Sequence, residues 1–96
     1  MFMYDGEFEW DDRKAAENYA KHGVSFEAAR DVFKDSFAIE RADAGNNHGE
    51  ERFIIIGMAR NRLLFVAYTM RGETIRIISA RGAEPYEQRE YHEQNT

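Results

Sequence analysis

Cysteine is absent from the 96-residue chain. That removes disulfide frameworks, thiolate metal sites and cysteine nucleophiles together, and leaves nothing pointing to an oxidising compartment. Long apolar runs are missing as well. The longest, Phe53 to Met58 and Leu63 to Ala67, fall far short of the roughly 20 residues of a membrane helix, so no span is expected. No Lys or Arg occurs between Met1 and Trp10, where Asp5, Glu7 and Glu9 stand instead. This is the opposite of a secretory leader, and the expectation is a cytoplasmic protein. Histidine is scarce: His22, His48 and His92 form no HxxxH or HExxH pair, and no calcium loop accompanies them, so no metal is expected. The patterns GxxxxGK(S/T) and GxGxxG do not occur, which gives no reason to expect a nucleotide cofactor or any other. Ser25, Ser36 and Ser79 lack the flanking glycines of a nucleophile elbow.

What is present is enough for one core. At 43% hydrophobic and 14% aromatic, residues 1–96 read as a single domain. A formal charge of −5 argues against indiscriminate coating of nucleic acid, which needs clustered Lys and Arg. The charge is unevenly spread, however. Arg52 to Arg81 holds six arginines and one acid, a local +5 that leaves −10 for the remainder.

The pattern predicts an α+β domain. Phe8-Glu9-Trp10 reads as extended, Asp11 or Asp12 as the N-cap of a first helix, and Ala15, Ala16, Tyr19 and Ala20 as its apolar stripe toward a sheet. Gly23 ends that helix in the left-handed conformation. Ser25 caps a second helix with Phe26, Ala29, Val32 and Phe33 on one face. Phe37 to Glu40 is expected as a short strand and 42–50 as a polar loop. Three strands follow, Arg52 to Met58, Arg62 to Thr69 and Thr74 to Ala80, joined by short turns into an antiparallel meander. The first two are nearly continuous apolar runs, as when both faces are covered. A short polar helix over Glu84 to Glu93, with Pro85 at its start, closes the chain.

The charged groups suit phosphodiester chemistry. Cleaving RNA through its own 2′-hydroxyl needs a base for that proton, cations around the phosphorane and an acid for the leaving oxygen. Arginine forks match phosphate oxygens two at a time, which singles out Arg76 in mid-strand and Arg81 at the strand's exit, with Lys14, Lys21 and Arg52 as further phosphate contacts. His22 and Glu51, and behind them Tyr68 and Tyr91, are the candidates for proton transfer. His22 is equally read as a helix-end residue, and Glu51 as a partner of Arg52. Trp10 offers either a ring for base stacking or a core residue beside a helix start.

In order, Phe8-Glu9-Trp10-Asp11, Lys14, Asn18, Lys21 to Ala29, Glu50 to Gly57 and Arg76 to Arg81 resemble the BrnT toxin family, over about Phe8 to Tyr91. The resemblance implies a RelE-like fold, with two N-terminal helices packed on an antiparallel sheet. It implies a metal-independent ribonuclease toxin of a type II toxin–antitoxin pair. The implied partner is a BrnA-like ribbon-helix-helix antitoxin in an assembly of two toxins and two antitoxins, with DNA reached only through that antitoxin. The motif positions are Trp10, Lys14, Lys21, His22, Glu51, Arg52, Arg76 and Arg81. After Arg81 the chain departs from the basic continuation common in the family, with Glu84, Glu87 and Glu90 among its residues. That departure keeps open an alternative in which the domain is attenuated or non-catalytic and serves to dock an antitoxin.

Overall fold

A computed structural model of the chain describes residues 1–45 and 49–96. Strands β1 (Phe2–Tyr4) and β2 (Phe8–Asp11) precede helices α1 (Asp12–His22) and α2 (Phe26–Val32). Then come β3 (Ile39–Ala42), β4 (Phe53–Ala59), β5 (Arg62–Arg71), β6 (Thr74–Gly82) and α3 (Pro85–Gln94). The strands form one sheet in the order β1-β2-β6-β5-β4-β3. The expected β4-β5-β6 meander is present, each pair antiparallel.

Two features correct the expectation of an antiparallel sheet. β1, three residues long, pairs with β2, and β2 pairs in parallel with β6, Phe8 opposite Ile75 and Glu9 opposite Arg76. The chain thus lays its beginning beside its last strand. The short strand expected over Phe37 to Glu40 lies two residues later, at Ile39–Ala42. Of the polar loop over 42–50, residues 46–48, His48 included, lie outside the described residues.

The tight turns follow backbone chemistry. Arg60 and Asn61 join β4 to β5 with φ of 51° and 70°, the paired left-handed conformations of a two-residue turn that matches strand twist. Gly57 permits a close approach: a Cβ there would lie 3.0 Å from both Ala38 Cβ and Val32 Cγ1.

Both sheet faces are covered, as the apolar runs of β4 and β5 require. On one face Phe26, Ala29 and Val32 of α2 pack with Phe8, Trp10, Ile55, Val66 and Ile77. On the other, Tyr91 of α3 packs with Ile54, Ile56 and Ala67. A β-bulge in β6, where Ala67 pairs with Ser79 and Tyr68 with Ile77, lets Ile77 and Ala80 both face the first core while Ile78 joins the second.

The apolar stripe expected on α1 is overturned. Ala16, Tyr19 and Ala20 are exposed and Ala15 is only partly buried; the buried residue is Asn18. Its Nδ2 donates to the carbonyls of Ala80 (2.8 Å) and Val24 (3.0 Å), and its Oδ1 accepts from the Ala80 amide (3.1 Å). The side chain thus supplies both hydrogen bonds that a neighbouring strand would have given Ala80, and an alanine stripe could not.

Candidate functional site

Helical spacing gathers the first group. Lys14, Glu17, Asn18, Lys21 and His22 recur at intervals of three and four, so they share one face of α1. Asp11 holds the start of the helix, its carboxylate accepting from the Arg13 amide at 2.8 Å. Gly23, at φ 68°, ends it by donating to the Tyr19 carbonyl. Where this face meets β6, Lys14, Lys21, His22 and Glu17 line a surface hollow of about 250 Å³ together with Ile78 and Ser79. Two ammonium groups, an imidazole and a carboxylate therefore share one surface hollow beside Ile78 and Ser79. The structure places Lys14, Lys21 and His22, separate candidates in the sequence, around one hollow, and adds Glu17 and Ser79. The spacing of Glu17 from Lys14 and Lys21 was a signal that could have found it.

Arg76 and Arg81 flank this hollow along β6, roughly 15 Å apart by strand rise. Neither is bare. The Arg76 side chain, 16% exposed, pairs with Glu9 at 2.7 Å and lies 4.5 Å from the centre of the Phe2 ring. Arg81 sets Nη1 and Nη2 on the two carboxylate oxygens of Glu87, each at 2.9 Å, and stacks 4.0 Å over Phe65. The Glu87 carboxylate raises the Arg81 pKa further. Burial pushes the Glu87 carboxyl up, but hydrogen bonds from Arg81 and the Glu84 amide outweigh it and hold the pKa below its ordinary value. Glu84 and Glu87 belong to the acidic stretch that replaces the expected basic one. Arg41 likewise pairs with Glu90 of α3 at 2.8 Å.

Other expected site residues lie elsewhere. Glu51 and Arg52 line a different hollow, of about 470 Å³, with Ala42 and Asp43, two strands away from β6. His22 and Glu51 therefore do not meet as acid and base. Thr69 Oγ1 donates to the Glu51 carbonyl. Trp10 is corrected outright as a base-stacking residue: it is 2% exposed and packs edge-on against Phe26, ring centres 5.7 Å apart. Its position on β2 points it into the core with Phe8. Tyr68 and Tyr91 are poor proton carriers here. Burial, then the hydrogen bond to Glu40, raises the Tyr68 pKa; burial, then the bond to Asp35, pushes Tyr91 up to about 12. Both phenols are buried donors to carboxylates, at 2.6 Å and 2.7 Å.

Among the described residues no group of three or more His, Asp or Glu side chains is placed to hold a metal ion. No helix among them is long and apolar enough to cross a membrane. Comparison with curated proteins gives no match. A family profile described as the ribonuclease toxin, BrnT, of type II toxin–antitoxin systems matches residues 10–87. That span contains α1, the meander and the start of α3, with every side chain of the hollow. The chain belongs to the BrnT family of type II toxin–antitoxin ribonuclease toxins.

Proposed function

We propose that this protein cuts RNA through the substrate's own 2′-hydroxyl, without a metal ion, at the hollow between α1 and β6. The observation that carries the reading is that Lys14, Lys21, His22 and Glu17 line one hollow together with Ser79. The 2′-oxygen attacks phosphorus as its proton passes to a base, Glu17 or His22. The P–O5′ bond breaks, and its oxygen takes a proton from the remaining partner. Lys14 and Lys21 carry the charge that builds on the phosphorane, with Arg76 and Arg81 at either end of the approach. Products are a 2′,3′-cyclic phosphate and a 5′-hydroxyl.

A BrnA-like ribbon-helix-helix antitoxin neutralises the protein by covering this cationic surface, in an assembly of two toxins and two antitoxins in the cytoplasm. The α1–α2 hairpin packed on a sheet supports the RelE-like arrangement within this reading. The test is incubation of the purified protein with total RNA in excess EDTA, followed by analysis of the ends produced. Cleavage leaving cyclic phosphate is expected. Intact RNA from a folded protein, or cutting that returns only with added divalent metal, overturns the reading.

A further inference from the structure

We propose that Phe2 and Tyr4 of β1 form a base-stacking platform for single-stranded RNA beside the cationic hollow of α1. The inference rests on the RNA-cleaving reading above and specifies how substrate is held. β1 alternates: Met3 packs against the core, which sends Phe2 and Tyr4 out on the opposite face. They are 56% and 65% exposed. Pairing then carries that face across the sheet. Tyr4 lies opposite Glu9 and Glu9 opposite Arg76, so an aromatic ring, a carboxylate and a guanidinium stand in one row. Phe2 lies against the same guanidinium, at 4.5 Å. Two positions along β6, Ile78 lines the hollow that holds Lys14, Lys21 and His22. Rings and cations are therefore continuous.

Along this path Arg76, Lys14 and Lys21 attract phosphates. Of the acids, Glu9 is paired with Arg76, Asp11 lies opposite Phe2 with its carboxylate on the Arg13 amide, and Glu17 shares the hollow with Lys14 and Lys21. The platform is also open: no residue of β1 or β2 belongs to the apolar cluster under α3. Strand geometry sets the two rings about 6.7 Å apart, so successive splayed bases can each take one, as on other sheets that read single strands through exposed aromatics. A duplex, whose bases are already stacked and paired, has nothing to offer the rings. Phe2 and Tyr4 supply the stacking surface that the buried Trp10 cannot.

The test uses the full chain and a short single-stranded RNA carrying 2′-O-methyl groups, which binds but cannot be cleaved through the 2′-oxygen. Replacing both rings, in Phe2→Leu with Tyr4→Leu, keeps apolar bulk and removes the aromatic faces. It is expected to raise Kd roughly thirtyfold or more. The aromatic exchange Phe2→Tyr with Tyr4→Phe is expected to retain wild-type affinity, and circular dichroism checks folding of both. An abasic strand of the same length should bind the wild type as weakly as the intact strand binds the leucine variant. Equal affinity of the leucine variant and the wild type for the intact strand would overturn the platform and leave the ring pair as a protein-contact surface, with the cleavage reading untouched. Failure of the wild type both to bind this RNA and to cleave unmodified RNA would overturn the cleavage reading itself, and the platform with it.

Discussion

Arg81 grips Glu87 with both terminal nitrogens at 2.9 Å, and Glu87 is completely buried between β6 and the first turn of α3. A buried carboxylate is tolerable only when its charge is answered, so this pair ties α3 to the strand that carries the candidate site. Replacing Glu87 by Ala leaves the guanidinium without that answer. We expect a loss of about 3 kcal/mol in urea unfolding, with Glu87→Gln losing less because it still accepts a hydrogen bond.

The same pair sets an acid limit. The folded-state pKa of Glu87 is depressed below its ordinary 4.5. Asp35 also lies below its ordinary 3.8: burial pushes it up, but bonds from the Met58 amide, the Tyr91 hydroxyl and the Phe37 amide outweigh this. A depressed carboxyl stabilises the fold above its ordinary value and loses that contribution as pH falls through the folded value. Unfolding free energy should therefore hold near neutral pH and decline below about 4.5. Glu87→Gln should flatten that decline in denaturation curves measured across the range.

Asn18 is expected to be among the least replaceable polar residues. Asn18→Ala removes three hydrogen bonds and strands the amide and carbonyl of Ala80 in a buried setting. A loss of about 2–3 kcal/mol is expected. Asn18→Asp should do no better, since its carboxylate would face the carbonyls of Ala80 and Val24 with no proton to donate. Amide exchange at Ala80 would report the damage directly.

At the hollow, His22→Gln should lower the cleavage rate about a hundredfold or more without unfolding the exposed helix end. Lys14→Ala and Lys21→Ala should lower the rate too, and unlike His22→Gln should also weaken RNA binding and each reduce the salt dependence of affinity, because each removes one phosphate contact. Cleavage assays at several salt concentrations separate the two roles.

The meander was legible because its signals are local. Apolar runs and the short turns between them each act over a few residues, and the strands lie close to where they were expected. Ser25 and the face of Phe26, Ala29 and Val32 were legible for the same reason. The parallel pairing of β2 with β6 was not, since no local pattern announces a contact between Glu9 and Arg76. Helical periodicity also misjudged α1. Its alanines were read as the buried stripe, but the backbone of Ala80 required a polar side chain, and Asn18 turned inward to meet it. Glu87 was hidden likewise in a segment that looked uniformly solvent-facing. At the site, Lys14, Lys21 and His22 were named for their charge and chemistry, but their shared face of α1 against β6 and the exposed rings of Phe2 and Tyr4 became visible only in the fold.

Asn18 and Ala80, joined by hydrogen bonds, are 62 residues apart in sequence, and the hollow's two walls come from the same distant segments. During synthesis α1, with its lysines and histidine, emerges before β6 is made. Without β6 there is neither a Ser79 for those groups to face nor a backbone for Asn18 to hold. The hollow comes into being only once β6 has been made and has docked against α1.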